Sequence, residues 1–276
     1  MPVSSSSTIS EGCKDMVILK DWMIEYRDLN DLPYDLDTDR RLIIVHNFGL
    51  SESQLNQSPY FQSQVDLAKI EAIRMARHVE RLNGTIEQYQ PEQVLLAGRI
   101  CVADCQVQKI IHAYNMKLDG QSLLWKYLLC SDISDMVLVF DKTFEKLSLT
   151  HDDQDASDQA TTAAFNLWFS NNDRVHQCDH NTLSLLDDMM DDGVTFGTKN
   201  ISKNVLACLT SSSDDQTSYL DRFLQQDILN NPYYRDTKNE YDSIHLMQII
   251  SDNKTYRVGD VAFSDQNLAA RFAICE

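Results

Sequence analysis

An α+β protein, mostly helical and with a small antiparallel sheet, is what this sequence predicts. Two observations carry that prediction. Long stretches place apolar residues every three or four positions, as in Phe61, Val65, Ala68, Ala72 and Met75, which is the period of a helix with one buried face. Short β-branched runs such as residues 41–48 (RLIIVHNF) stand apart from them and read as buried strands. No internal repeat or coiled-coil heptad emerges. Helices and strands therefore belong to one α+β arrangement.

The elements follow in order. Residues 1–11 are Ser/Thr-rich and read as a flexible N-terminus, and residues 12–276 as a single α+β domain. A helical pattern starts at Gly12 (Met16, Leu19, Met23, Tyr26), and residues 30–39 (NDLPYDLDTD) form a polar turn region. After strand 41–48, Ser58-Pro59 starts a long helix, with Pro at the first helical position, that runs to Asn83-Gly84. Pro91 starts another that reaches Tyr114, and 121–129 is a third. Residues 135–140 (DMVLVF) read as a second strand with Asp141 at its end. The acidic loop 151–158 (HDDQDASD) is the candidate internal boundary. Helices are expected at 160–169, at 183–190, around Val205 and at 219–229, the last ended by Asn230-Asn231-Pro232. A hairpin closes the chain, with strand 243–250 (SIHLMQII), turn 251–254 and strand 255–258.

Charge narrows the function classes. The 276 residues hold 24 Lys+Arg against 42 Asp+Glu, a net charge of −18. Such a chain repels phosphate backbones, and its one basic helical stripe is Arg74, Arg77 and Arg81, so no nucleic-acid partner is expected. A protein substrate or partner with a basic surface suits the charge better. No uncharged apolar run approaches the roughly 18–20 residues of a membrane span. The N-terminal MPVSSSSTIS has neither a basic nor an apolar signal region. Seven Cys without a Cys-x-x-Cys pair read as reduced thiols. The expected location is cytoplasmic, or a host cytosol reached without a classical signal peptide. Glycine-rich phosphate loops and the Gly-x-Ser-x-Gly elbow are both absent, and no cofactor is expected.

One constellation at the two ends points to chemistry. His245 stands in the first arm of the expected hairpin and Asp260 just after the second, fifteen residues on. A hairpin brings such positions side by side, and a carboxylate beside an imidazole fixes its tautomer and stabilises its charged form. Cys13 follows Gly12 at the start of the first expected helix, where a helix dipole lowers a thiol pKa. The order Cys13, His245, Asp260, with Trp22 later in the first helix, resembles the papain-like cysteine proteases, most nearly the YopT-type effector proteases. The resemblance covers only the two ends of the chain. It implies a papain-like core with a large helical insertion at about residues 50–230. It also implies Cys13 as nucleophile, His245 as general base and Asp260 as orienting residue, with the Cys13 N–H in the oxyanion hole. The activity implied is acyl transfer on a protein substrate, by a protease or deamidase and in the manner of a secreted effector.

Other readings stay open. Transglutaminase-like enzymes also run Cys, His, Asp, and Cys208, 37 residues before His245, is the alternative nucleophile. A non-catalytic acidic protein-binding module is the rival class, with Cys13 and His245 as core residues. His176-Gln177-Cys178-Asp179-His180 offers N and S ligands, with both His on one helical face. It lacks third and fourth partners, so no metal site is assigned. The Asp187-Asp188 and Asp191-Asp192 pairs read as a solvated helix face.

Overall fold

The computed structural model describes residues 21–30, 32–82, 85–211, 218–254, 256–258 and 261–263. The expected flexible segment 1–11 lies outside them. The chain divides into two compact units, residues 1–80 with 105–138, and residues 81–104 with 139–276.

In unit 1, β1 (Met23–Arg27), β2 (Tyr34–Asp37) and β3 (Leu42–His46) form a sheet in the order β1-β3-β2. β3 runs parallel to β1, with Met23 opposite Leu42, and antiparallel to β2, with Tyr34 opposite Val45. The sheet is thus mixed, not purely antiparallel. β3 matches the expected strand, and all five of its residues are buried, as befits the central position. The helix expected to run through Tyr26 gives way to β1 over residues 23–27. Trp22 and Ile24 both reach the core, and a spacing of two is the period of a strand. Tyr34 and Leu36 do the same in β2, inside the expected turn region.

A short helix, α1 (Glu52–Leu55), leads into α2 (Pro59–Leu82), which has the limits its sequence predicts. Val65, Ala68, Ala72, Ile73 and Ala76 lie on the α2 face packed against Ile43 and Val45 of the sheet. The alanines let helix and sheet approach closely, and packing of this kind supplies most of a helix's stability. α3 (Pro91–Leu118) and α4 (Leu123–Leu128) follow as expected. α5 (Ser134–Leu147) corrects the strand expected at 135–140. Ile133, Met136, Val137 and Phe140 are buried while Leu138 is exposed, which is helical spacing.

In unit 2, α6 (Asp153–Trp168) begins where an acidic loop was expected. Asp152 caps it by accepting the Asp155 N–H, and carboxylates are favoured at that end of a helix. α7 (Asn172–Asp191), α8 (Lys203–Leu209), α9 (Arg222–Asn230), α10 (Pro232–Arg235) and α11 (Glu240–Asp252) complete the helices. α11 replaces the strand expected at 243–250. Asp242, His245, Leu246 and Ile249 fall at helical steps, Asp242 and Ile249 are buried, and Asn239 caps the start by accepting the Tyr241 N–H. The strand-borne His of the papain-like arrangement therefore does not occur here. β4 (Tyr256–Val258) does form, and pairs antiparallel with β5 (Val261–Phe263). Val94, Leu95, Leu183, Leu186, Phe196 and Ile249 form a core in this unit.

Candidate functional site

Unit 1 holds a cleft of about 640 Å³ at the carboxyl end of β3, walled by residues of α2, α3 and α4. Glu71 stands in it, set in an otherwise buried stretch of α2 (Ile70, Ala72, Ile73, Arg74). Its Oε2 lies 2.5 Å from Lys109 Nζ, and its Oε1 accepts a hydrogen bond from Gln106 Nε2 at 3.3 Å. Lys109 and Gln106 are one turn apart on α3, so both reach the same carboxylate. The side chains of Lys109 and Glu71 are only 14% and 17% exposed, which leaves their attraction far less screened than that of a surface pair.

His46 closes the end of β3 and also lines the cleft. Its Nδ1 accepts the Leu29 N–H at 2.9 Å, which puts the proton of the neutral ring on Nε2. Phe48 packs edge-on against the ring, with centroids 4.3 Å apart. Across the cleft, Gln64 Nε2 donates to the Tyr127 hydroxyl at 2.8 Å, and burial pushes that phenol up from its ordinary value. Leu32, Pro33 and Ala68 supply apolar wall. The cleft thus combines a pinned charge pair, an oriented imidazole and apolar surface.

Unit 2 has a second polar cluster, where α7 meets α11. His176 Nδ1 lies 2.6 Å from Asp242 Oδ2, and His245 Nε2 lies 2.6 Å from Asp187 Oδ2. The Asp242 hydrogen bond raises the His176 pKa above its ordinary value. His176 and His180 share a face, with ring centroids 6.4 Å apart. Cys178 is buried, and burial pushes its thiol up to about 12. It is therefore an inert core thiol and not a ligand beside the two His.

The expected catalytic residues are placed as follows. Cys13 and Asp260 lie outside the described residues. His245 is on a helix, and its carboxylate partner is Asp187. Cys208 occupies the last turn of α8 and not a helix start. Its carbonyl accepts a hydrogen bond from Arg81 Nη1 at 2.6 Å. The basic stripe seen in the sequence is largely committed inside the fold: Arg74 is buried and Arg81 makes that bond.

A family model matches residues 69–219, more than half of the chain, and its family is described as "Putative metallopeptidase family (DUF6782)". The chain belongs to this family. Its description suggests a peptidase, and not a papain-like cysteine protease of the YopT type. No curated protein and no solved structure matches the chain.

The family's description invites a test for metal ligands. A zinc-peptidase helix carries His-Glu-x-x-His, two imidazole ligands one turn apart and a Glu general base. None of the seven His in this chain is followed by Glu. Of the five Glu in the matched segment (71, 80, 87, 92, 145), Glu71 and Glu92 line clefts. At the two motif positions Glu71 has Ile70 and Arg74, and Glu92 has Pro91 and Leu95. His176 and His180 have the His spacing, but Gln177 replaces the Glu, and an amide is no base. Among the described residues no group of three or more His, Cys, Asp or Glu is placed to hold a metal ion. These residues do not fit a catalytic metal.

Sequence analysis did not single out Glu71, Lys109, Gln106 or His46. A signal was present, because Glu71 interrupts an apolar stretch, Ile70-Glu71-Ala72-Ile73, and Lys109 borders another, Ile110-Ile111. An ionisable residue in such a setting either pairs in the fold or serves a site.

Proposed function

We propose that this member of the peptidase family handles polypeptides, and that the unit 1 cleft is where an extended segment binds. The observation that carries the reading is the cleft's mixed lining. Peptide bonds need hydrogen-bonding groups such as His46 Nε2–H and the amides of Gln64 and Gln106, and side chains need apolar wall such as Leu32 and Phe48. The net charge of −18 favours a basic segment through encounter rate.

Fluorescence polarisation with a labelled, degenerate, Lys-containing decapeptide pool tests this. Leu32→Asp is the informative variant, since Leu32 lines the cleft yet is 57% exposed, so folding hardly depends on it. Saturable binding that Leu32→Asp weakens by about tenfold or more supports the cleft, tenfold being about 1.4 kcal/mol. Absent binding, or equal binding by the variant, overturns it. Release of new amino termini from a casein substrate reports separately whether the chain also cuts.

A second reading keeps thiol chemistry, because His245 is held by a carboxylate at 2.6 Å, the orienting half of a Cys–His–Asp site. In it Cys13 is the nucleophile of an acyl-transfer reaction, with Asp187 taking the role first given to Asp260. Fast alkylation of Cys13 near pH 6 that His245→Ala abolishes supports this reading. Labelling of Cys13 at the rate of a free thiol refutes it.

A further inference from the structure

The Glu71–Lys109 pair is a costly thing to build at the floor of a cleft. Both side chains are mostly withdrawn from water, and two such charges repay their desolvation only when well paired and further hydrogen-bonded. Here the pairing is short, at 2.5 Å, and Gln106 adds a second partner to the carboxylate. The Glu71 backbone carbonyl is engaged as well, accepting from Cys105 Sγ at 3.8 Å. α3 thus anchors the Glu71 turn of α2 at three points one turn or less apart.

The helix positions around Glu71 add a second, independent observation. A metal-binding helix places its two ligands immediately before the Glu and three residues after it. In this chain those positions are Ile70, which is buried, and Arg74, which is also buried and carries a fixed positive charge. Neither side chain can ligate a cation.

We propose that the unit 1 cleft works without a metal ion, with the Lys109 ammonium as its resident cation, pinned to Glu71 in place of a metal. This deepens the proposed function and rests on it for the choice of cleft. An ammonium supplies positive charge and three N–H donors, but it cannot lower the pKa of a bound water as zinc does. The cleft therefore keeps N–H donors that orient a polypeptide carbonyl and lacks the water activation that would hydrolyse it by a metallopeptidase route.

Two measurements decide it. The first is metal content of the full chain after incubation with zinc sulfate and gel filtration. It is made in a His180→Ala background so that the His176/His180 pair does not count. Substoichiometric zinc and a Tm unchanged by EDTA are expected. A stoichiometric zinc that Glu71→Gln or His46→Ala removes would overturn the proposal.

The second is a charge cycle at the pair. Lys109→Met should lower Tm by about 5 °C or more, because it strands Glu71. Glu71→Gln/Lys109→Met should recover most of that loss. A Lys109→Met protein as stable as the parent would show that the cleft does not depend on Lys109, and would overturn its role. Polypeptide binding is read separately by polarisation. Absence of peptide binding sinks the proposed function, whereas peptide binding together with stoichiometric zinc that Glu71→Gln removes sinks this inference alone.

Discussion

Arg99 holds Asp179 in a two-pronged ion pair, with Nε and Nη2 at 2.6 and 2.7 Å from the two carboxylate oxygens and both side chains fully buried. Arg99 Nη1 also donates to the Tyr234 carbonyl at 2.6 Å, so one guanidinium ties α3, α7 and α10 together within unit 2. Removing one partner leaves a buried charge unpaired. Arg99→Met should cost about 3–5 kcal/mol in urea unfolding, and Arg99→Met/Asp179→Leu should recover much of it. Arg99→Lys should rescue only in part, because an ammonium cannot make the forked contact.

His176 makes the docking of α11 depend on pH. The Asp242 hydrogen bond raises its pKa above the ordinary 6.5, partial burial opposes this, and Asp179 and Asp173 add to the rise. A His raised in the folded state contributes stability that is complete below the unfolded pKa and lost as pH rises through the folded one. Hydrogen exchange of α11 amides, corrected for intrinsic rates, should show more protection at about pH 6 than at about pH 8.5. His176→Gln should flatten that difference. A profile unchanged in the variant would place the pH dependence elsewhere.

Cysteine labelling separates core from surface thiols. Cys130 is exposed, whereas Cys101, Cys105 and Cys178 are buried, and Cys178 is further protected by a pKa pushed up to about 12. Iodoacetamide on the native protein should modify Cys130 and leave the other three until the protein unfolds. Early labelling of Cys178 would mean that the α7 face packs less tightly than described.

Gly197 tests the fit of a close backbone approach. A Cβ added there would lie 2.4 Å from the Gln88 carbonyl oxygen, and Gly197 N–H donates to the Glu87 carbonyl at 2.7 Å. The obstacle is backbone, which cannot swing aside as a side chain can. Gly197→Ala should therefore destabilise by about 1–3 kcal/mol, measured by thermal or urea unfolding. An alanine variant of equal stability would show that the two segments move apart at little cost.

The candidate sites show how unevenly function is written along this chain. His176 and His180 are legible as a helical pair, and the structure places them on one face. Their partner is not legible, because Asp242 lies 66 residues away and only the packing of α11 on α7 brings it in. The Glu71–Lys109 pair joins residues 38 apart on different helices, and no local pattern names such a pair.

By itself the sequence determined the class, the central strand and the long helices. A buried β-branched run at β3 and apolar periods bounded by Pro in α2 and α3 are local signals strong enough to stand without context. It also determined that no His-Glu-x-x-His motif is present. Tertiary structure decided the short apolar runs 135–140 and 243–250, which are helical. A largely apolar run of six to eight residues suits a buried strand or one face of a helix equally well, and only the surface it packs against selects between them. For the same reason tertiary structure decided β1 and β2, whose few partly buried side chains acquire a strand's period only beside β3. It decided the cleft too, since a charge pair between helices exists only once both are folded against each other.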